Sequence, residues 1–460
     1  MALIIAGERS GVGKTTITLA ILAFLQQKSA SVQSFKVGPD YIDPMFHQRI
    51  TGRPCRNLDP LLTSPEYVQS CFNQHCQGAE YAIIEGVMGL FDGVQNPLYP
   101  ENSLGDYGST AHIARLLKLP VVLVLDSSRL SSSIAAIVQG YRSLDPRINI
   151  VGVILNRVAS DRHLYLLQEA LNWIGMPILG TLGRESEITL SDRHLGLIPV
   201  DELPHLTQIF DKLAEIASTA LDWPQLFPLL AAPVLPVVPS PPLPQFPVRI
   251  ALAKDRAFNF YYQDNLEQLE ALGAELILWS PLEDATLPRE IHGLYLGGGF
   301  PEVFAPALSA NKSALASVKK EIALGIPTYA ECGGLMYLTK KILDFEEQSW
   351  PMVGILPTTT IMGQKLNLGY RRAVSGQASC LLEPEQIVWG HEFHRSYLSE
   401  NSERPLYHLQ GLPLSKTSTL TEGWSKKNLH ASYLHLHFGQ SLTFSSKFLG
   451  NCLAFSQKLA

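Results

Sequence analysis

The first half of the chain alternates between short apolar runs and longer segments in which apolar side chains recur with a helical period. Four apolar runs predict buried strands, at residues 2–6, 81–85, 121–126 and 150–155. Between them, residues 15–27 and 110–117 carry apolar side chains three and four positions apart, which predicts helices. Because strands that alternate with helices form βαβ units, we expect a mainly parallel sheet here.

A proline-rich segment follows, in which prolines recur every few residues between Trp223 and Pro247. Proline fixes φ and lacks a backbone N–H donor, so we expect this segment to form neither helix nor central strand. The alternation then resumes, with strands expected at 248–253, 275–279, 293–296 and 327–330 and a helix at 259–272. The sequence therefore predicts two α/β domains, residues 1–222 and 248–460, joined by an extended linker, residues 223–247.

Composition narrows the possible classes of protein. The 460 residues are 46% hydrophobic and 17% charged, which is typical of a globular protein with more than one core. The net charge is −6 and no run of five like charges occurs, so we expect no nucleic-acid partner. No apolar stretch is long enough for a membrane helix, and the six cysteines form no CxxC pair. We expect a cytoplasmic protein without a membrane partner, and a homodimer is the oligomer that we consider for it.

The first candidate site lies at residues 7–15, Gly-Glu-Arg-Ser-Gly-Val-Gly-Lys-Thr, between the first predicted strand and helix. In such loops backbone N–H groups surround phosphate oxygens, the lysine adds charge and the threonine hydroxyl binds Mg²⁺. The first glycine stands one residue earlier than usual, so the loop is a longer variant; a surface turn is the alternative. The predicted ATP-binding residues are Gly7, Ser10, Gly11, Val12, Gly13, Lys14, Thr15, Thr16, Lys36 and Asn156.

Two acidic clusters, residues 36–44 and 85–93, are expected at the carboxyl ends of strands, where open α/β sheets bind ligands. We expect Thr15, Asp40 and Glu85 to bind Mg²⁺, and Asp43, Asp92 and Tyr41 to position substrate or phosphate. The alternative is that these aspartates cap helices or shape turns, and that Asn156 is a turn residue instead of a purine contact. Other polar residues near expected strand ends are Tyr107, Arg193 and His194.

The second candidate site centres on Cys332, between a predicted strand and helix and among small residues. This pattern is typical of a nucleophile elbow, in which the helix N-terminus is expected to lower the pKa of the thiol; a buried structural cysteine is the alternative. Gly298 and Gly299 follow a predicted strand and are expected to supply oxyanion donors. Candidates for a general base are His391, His394, His435 and His437. On one strand, His435 and His437 would face the same side.

The motifs together closely resemble those of the cobyrinic acid a,c-diamide synthases, a family of the cobalamin pathway, over nearly the whole chain. The resemblance is carried by residues 7–15, 36–44, 85–93, 296–302, 330–334 and 432–438. The phosphate loop also resembles that of dethiobiotin synthetase. The resemblance implies a P-loop NTPase domain followed by a class I glutamine amidotransferase domain, with ATP, Mg²⁺, L-glutamine and cobyrinic acid as ligands.

By resemblance, Cys332 is the glutaminase nucleophile and His435 the histidine that activates it. In many class I glutamine amidotransferases a glutamate stands two residues after this histidine and completes a Cys-His-Glu triad. In this sequence the corresponding position, 437, is histidine. We therefore predict a dyad of Cys332 and His435. The implied reaction activates the c and a acetate carboxylates with ATP and then amidates them with ammonia from glutamine.

Other functions remain possible at this stage. The same chemistry could act on hydrogenobyrinic acid, nickel sirohydrochlorin or the carboxylates used by cobyric acid synthase. A P-loop regulatory ATPase would need a membrane or polymer partner, for which the sequence offers no basic tail. A stand-alone glutaminase would leave the phosphate loop without a role.

Overall fold

The structure of the chain, a computed structural model, describes residues 1–96, 104–184, 192–193, 196–197, 199–203, 205–234, 242–412, 420–426 and 428–459. It divides into two compact units, Met1–Pro239 and Ser240–Ala460. The division falls inside the segment that we predicted to be a linker. None of the described helices combines the length and apolarity needed to cross a bilayer.

Strands and helices alternate through the first unit, as the periodicity predicts. The strands are β1 (Leu3–Gly7), β2 (Val32–Val37), β3 (Arg56–Leu58), β4 (Tyr81–Glu85), β5 (Val121–Asp126), β6 (Ile150–Val158), β7 (Ile178–Gly183), β8 (Asp192–Arg193) and β9 (Gly196–Leu197). The helices are α1 (Lys14–Gln27), α2 (Ile42–Thr51), α3 (Pro65–His75), α4 (Thr110–Leu117), α5 (Ile134–Leu144), α6 (Asp161–Trp173), α7 (Leu206–Ala220) and α8 (Trp223–Leu230).

The first seven strands form one parallel sheet in the order β3-β2-β4-β1-β5-β6-β7, which confirms the predicted parallel architecture. Every residue of β1 and β5 is buried, because both strands lie in the middle of the sheet with helices beside them. In register, Glu85 lies between Ile5 of β1 and Lys36 of β2. The carboxyl ends of these three strands therefore meet at one edge of the sheet.

The second unit has a larger, mixed sheet. The strands of this unit are β10 (Val248–Ala253), β11 (Phe258–Phe260), β12 (Ala274–Trp279), β13 (Gly293–Leu296), β14 (Gly298–Gly299), β15 (Thr328–Glu331), β16 (Lys341–Leu343), β17 (Ser349–Pro351), β18 (Thr360–Ser375), β19 (Ile387–Leu398), β20 (Pro405–Gly411), β21 (Leu420–Lys426), β22 (Leu429–Ser432) and β23 (His435–Leu436), of which β11 and β14 form a separate two-stranded sheet. Its helices are α9 (Gln263–Ala271), α10 (Ala305–Ala310), α11 (Lys312–Leu324), α12 (Gly333–Leu338) and α13 (Leu442–Leu459).

The strands β12-β10-β13-β15-β22 run parallel, and the sheet continues with antiparallel pairing through β21, β20 and β18. The long hairpin of β18 and β19 also pairs with β23. This pairing brings β19, which carries His391 and His394, beside the segment that carries His435 and His437. The two α/β domains of the prediction are confirmed as a fold class, whereas the antiparallel half of this sheet was not predicted.

Two local predictions are wrong. Residues 223–230 of the expected linker form α8, because Pro224 occupies the first turn, where no N–H donor is required, and the Asp222 side chain caps Gln225 N. Trp223 stacks on Phe24 at 4.0 Å, so tertiary packing stabilises a helix that its prolines disfavour.

The expected helix at 259–272 begins only at Gln263. Phe258–Phe260, at its expected start, forms a strand paired with Gly298–Gly299. Aromatic residues fit a pleated, buried surface, and both phenylalanines are buried in the pairing.

Candidate active sites

The phosphate loop curls between β1 and α1. A Cβ at Gly7 would lie 3.0 Å from both the carbonyl oxygen of Arg9 and Cδ of Lys14, so only glycine allows this close approach. Gly13, at the start of α1, has φ 99°, a left-handed conformation that glycine adopts without strain. The Lys14 ammonium donates to the carbonyls of Arg9 (3.1 Å) and Met88 (2.5 Å). The Lys14 side chain is therefore fixed between the phosphate loop and the turn after β4.

A cluster of carboxylates lies beside this loop at the ends of β2 and β4. The Thr15 hydroxyl donates to Glu85 Oε1 at 2.6 Å and to Asp43 Oδ2 at 3.3 Å. Lys36 Nζ donates to the same two carboxylates, at 2.5 Å to Asp43 and 2.8 Å to Glu85. The structure thus brings together four residues from three separate sequence motifs.

The cluster includes a residue that the sequence analysis missed. His47 Nε2 lies 2.7 Å from Glu85 Oε2, and its Nδ1 lies 3.4 Å from Sγ of Cys55. His47 and Asp43 are one turn apart on α2 and so share a face of the helix. That spacing was the signal that could have identified His47.

Burial and opposing charges set the electrostatics of this site. Burial, together with the ammonium of Lys36, lowers the pKa of Lys14 to about 8. Burial also disfavours the charged form of Lys36, but the carboxylates of Asp43 and Glu85 outweigh it and raise the pKa of Lys36 well above its ordinary value. Burial would raise the pKa of Glu85, yet Lys36 and His47 hold that pKa well below its ordinary value. Lys36 and Glu85 are therefore both charged at neutral pH.

The donor set here suits a hard divalent cation. A hydroxyl and two carboxylates, from Thr15, Asp43 and Glu85, are the oxygen ligands that Mg²⁺ prefers. Asp40 caps a helix, which was the alternative to metal binding. Its Oδ1 accepts from the backbone N–H groups of Ile42 (2.9 Å) and Asp43 (3.1 Å) at the start of α2. Its other oxygen lies 3.7 Å from Lys36 Nζ.

Two further predicted residues support the phosphate loop. Asn156 Nδ2 donates to the carbonyl oxygen of Val12 at 2.9 Å, and a Cβ at Gly13 would lie 2.4 Å from the same nitrogen. Asp92 Oδ2 accepts from Gly89 N at 2.8 Å, which shapes the turn after β4. Asn156 therefore holds the phosphate loop and Asp92 holds the turn after β4, and the purine contact of Asn156 stays a prediction.

The remaining polar residues named from the sequence are not drawn into one cluster. Tyr41 is buried at the start of α2, and Tyr107 donates to the carbonyl of Pro60 at 3.3 Å. His194 lies outside the described residues, as does the side chain of Arg193.

In the second unit, Cys332 has the backbone conformation of a nucleophile elbow. It lies between β15 and α12 with φ 45° and ψ −100°, which is strained for a residue with a side chain. Its backbone N–H donates to Ser432 O at 2.7 Å. A Cβ at Gly334 would lie 2.1 Å from Leu296 O, so the turn needs glycine there. The sharp turn and its tight packing hold the cysteine at the end of the parallel strands.

The predicted oxyanion residues and histidine meet beside this elbow. A Cβ at Gly333 would lie 3.1 Å from the backbone nitrogen of Gly299. A Cβ at Gly298 would lie 2.6 Å from Cε1 and 3.4 Å from Nε2 of His435. The structure therefore brings the cysteine turn, the glycine strand and His435 into one site, although they come from three separate segments.

The other candidate histidines have different surroundings. His437 lies beyond the end of β23, with Nε2 3.4 Å from Asp264 Oδ2 and its ring 4.7 Å from that of Tyr262. The strand that we expected to carry both His435 and His437 includes only His435, and His437 lies just beyond its end with φ −98° and ψ 119°. Burial lowers the pKa of His391 to about 3 and that of His394 to about 4, so both are neutral at physiological pH.

The thiol of Cys332 is not pre-activated by its surroundings. Burial, followed by the charge of Glu302, raises the pKa of Cys332 well above its ordinary value. The backbone N–H of Gly333, at the start of α12, lowers this pKa as we expected, but burial and the charges of Glu302, Glu331 and Glu392 outweigh it. For such a thiol to act as a nucleophile, a base would have to take its proton.

Sequence reasoning also missed two acidic residues of this site. Glu331 is buried on β15, and its Oε2 lies 3.5 Å from Nδ1 of His435. Glu392 accepts from Arg371 Nε at 2.7 Å in the β18–β19 hairpin. A carboxylate in an otherwise buried apolar strand was the available signal for Glu331.

Family models of known proteins match a large part of each unit. A family model described as the CobQ/CobB/MinD/ParA nucleotide binding domain matches residues 3–198, and one described as the CobB/CobQ-like glutamine amidotransferase domain matches residues 249–443. The chain is 55% identical to the cobyrinate a,c-diamide synthase of Synechocystis sp., over 100% of this chain and 95% of that protein. It is 57% identical to that of Synechococcus sp., over 98% of both chains.

A hydrogenobyrinate a,c-diamide synthase from Streptomyces coelicolor is 38% identical, over 98% of this chain and 97% of the relative. The chain therefore belongs to the cobyrinate/hydrogenobyrinate a,c-diamide synthase family. It is a glutamine-dependent amidoligase with a nucleotide-binding domain and a glutamine amidotransferase domain.

Proposed function

We propose that the chain uses ATP and ammonia from glutamine to convert the c and a acetate carboxylates of cobyrinic acid into amides. The observation that carries this proposal is the 55% and 57% identity to two cobyrinate a,c-diamide synthases over nearly their whole lengths. The phosphate loop and the Cys332 elbow add support, since one suits carboxylate activation and the other amide hydrolysis.

In the first half-reaction, a carboxylate oxygen of the acceptor attacks the γ-phosphorus of ATP. The bond from phosphorus to the ADP oxygen breaks, which leaves an acyl phosphate and ADP. The loop amides and Lys14 bind the phosphates, and Lys36 adds a second buried positive charge beside them. Thr15, Asp43 and Glu85, with Asp40 nearby, would hold Mg²⁺, which supplies charge neutralisation for the transferred phosphoryl group.

In the second half-reaction, the Cys332 sulfur attacks the side-chain amide carbon of glutamine while His435 takes the thiol proton. The backbone N–H groups of Gly298 and Gly299 stabilise the oxyanion that develops. The carbon–nitrogen bond then breaks, His435 gives its proton to the departing nitrogen, and water hydrolyses the thioester to glutamate. Ammonia attacks the acyl phosphate, and inorganic phosphate leaves.

One relative makes a second acceptor worth testing. The Streptomyces coelicolor protein is named for hydrogenobyrinate, but its identity to this chain is 38%, against 55% and 57% for the relatives named for cobyrinate. The difference favours cobyrinic acid as the acceptor.

The experiment is mass spectrometry of cobyrinic acid and hydrogenobyrinic acid after incubation with ATP and either glutamine or ammonium chloride. Wild type should add two amides to cobyrinic acid from either nitrogen source. Cys332→Ala should do so only from ammonium, and Lys14→Met from neither. ATP turnover without any change in acceptor mass would refute the proposed function, and exclusive amidation of hydrogenobyrinic acid would correct the acceptor.

A further inference from the structure

Glu331 is a buried carboxylate one residue before the nucleophile. It is 1% exposed on β15, where its neighbours in the strand are otherwise uncharged. The hydroxyls of Tyr329 and Tyr295 both donate to it, the latter at 3.4 Å, and Leu436 N donates to its Oε1 at 3.3 Å. These donors compensate part of the loss of water that a buried carboxylate suffers.

The same carboxylate faces the ring of His435. Oε2 lies 3.5 Å from Nδ1, and both side chains are almost completely buried. The Cε1 and Nε2 edge of the ring faces Gly298, at 2.6 and 3.4 Å from the position of a Cβ there. The imidazole therefore lies between a carboxylate on one edge and the glycine strand on the other.

Position 437 is unavailable for this role. Its side chain is a histidine beyond the end of β23, and that histidine lies 3.4 Å from Asp264. The carboxylate that reaches His435 comes instead from the strand that carries the cysteine.

From this geometry we infer that Glu331 is a positioning residue for His435. The inference rests on the glutaminase half of the proposed function and deepens it. Glu331 accepts the Nδ1 proton, which fixes the tautomer in which Nε2 is free to act as the base. When Nε2 takes the proton of Cys332 and the sulfur–carbon bond forms, the carboxylate stabilises the resulting imidazolium. The proton on Nδ1 stays there throughout.

This role has particular weight because the thiol of Cys332 starts in its protonated form. A base in the wrong tautomer could not accept the proton, so glutamine would bind without reacting. The effect should therefore appear in kcat and not in KM. A residue that only holds the tyrosine network together would instead change KM for glutamine or the thermal stability of the unit.

The test measures glutamine hydrolysis and ammonia-dependent amidation in the full-length protein for Glu331→Gln and Glu331→Asp. Neutralising the triad carboxylate of a serine protease lowers kcat by about 10⁴-fold. For Glu331→Gln we expect the kcat of glutamine hydrolysis to fall by at least about 10²-fold. KM for glutamine should stay within about threefold, and ammonia-dependent amidation should be unchanged. Glu331→Asp, which keeps the charge, should recover part of the loss.

The matched control is Glu422→Gln. Glu422 is a buried carboxylate of the same sheet that accepts from Ser432 Oγ and Tyr433 N, and burial raises its pKa to about 8. Because it is protonated at neutral pH, the substitution changes no charge, and kcat should stay within about twofold.

Wild-type kcat in Glu331→Gln would overturn the inference and leave the proposed function intact. A rise in KM or loss of thermal stability with kcat retained would assign Glu331 a purely structural role. If Glu331→Gln fails to fold, the pH dependence of kcat in Glu331→Asp decides, because the shorter carboxylate lies farther from Nδ1 and should lower the apparent pKa of the base. A pH profile and a kcat both identical to those of wild type would overturn the inference. Absence of glutamine hydrolysis in wild type would instead refute the proposed function.

Discussion

His47 Nε2 lies 2.7 Å from Glu85 Oε2, with both side chains fully buried in the first unit. The other oxygen of this carboxylate accepts from Thr15 and Lys36. Both oxygens of Glu85 are thus held by hydrogen bonds beside the phosphate loop. Outer contacts of this kind orient metal ligands in proteins.

Stability should fall with rising pH through His47. Burial opposes its charge, but Cys55 and Glu85 raise the pKa of His47 to about 10, above the value of about 6.5 in an unfolded chain. The charge therefore stabilises the fold fully below pH ~6.5, and this contribution is lost as the pH rises towards 10, by at most about 1.4 kcal/mol per pH unit. The free energy of unfolding in urea is measured for wild type and His47→Gln between pH 6 and pH 10, in steps of ~0.5 pH unit. The quantity compared is its dependence on pH in the two proteins. Parallel curves for the two proteins would contradict this assignment.

Nucleotide affinity should depend on the charge of Lys14. Its pKa is lowered to about 8 by burial and Lys36, while Glu85, Asp43 and Asp92 act in the opposite direction. Bound phosphates favour the charged ammonium, so binding takes up a proton above this pH, and affinity should fall by up to about tenfold per pH unit. Calorimetric titration with ATP checks this, with Lys14→Arg as the control that stays charged. A wild-type affinity as flat as that of Lys14→Arg would refute the prediction.

Asn156→Asp distinguishes a role in the loop from a role in base recognition. The substitution replaces the donor that binds Val12 O by an acceptor, which leaves that carbonyl without its partner. Losing such a bond costs about 1–3 kcal/mol, so ATP and GTP should both bind roughly tenfold more weakly. Equilibrium binding of the two nucleotides measures this. A loss confined to ATP would instead support the purine contact predicted from the sequence.

Gly298→Ala should disable glutamine use alone. The new methyl group would meet the ring of His435 at 2.6 Å and displace it, so glutamine-dependent amidation should fall at least about 10²-fold. Ammonia-dependent amidation should remain. Gly140→Ala is the matched control, because a Cβ at this helical glycine meets nothing within 4 Å. That control should keep both activities and gain up to about 1 kcal/mol of stability. Equal losses with glutamine and ammonium for Gly298→Ala would contradict the prediction.

Much of the first unit follows from local pattern. Each of these elements is one continuous segment of sequence: the apolar runs of β1, β4 and β5, and the glycine loop before α1. Their periodicity and turn residues are therefore sufficient to predict them. The start of α9 and the helix at 223–230 were mispredicted because pairing with Gly298–Gly299 and stacking on Phe24 override local preference.

The sequence by itself determined the fold class and located the phosphate loop and the cysteine turn. Among the four candidate histidines, the resemblance to a known family singled out His435 as the predicted base. Only the tertiary structure decided which carboxylates contact the histidines of the two sites. His47 reaches Glu85 across 38 positions and Glu331 reaches His435 across 104, through sheet register and helix packing that no local pattern encodes. The raised pKa of Cys332 likewise depends on burial and on the charge of Glu302, which outweigh the lowering effect of the Gly333 N–H at the start of α12.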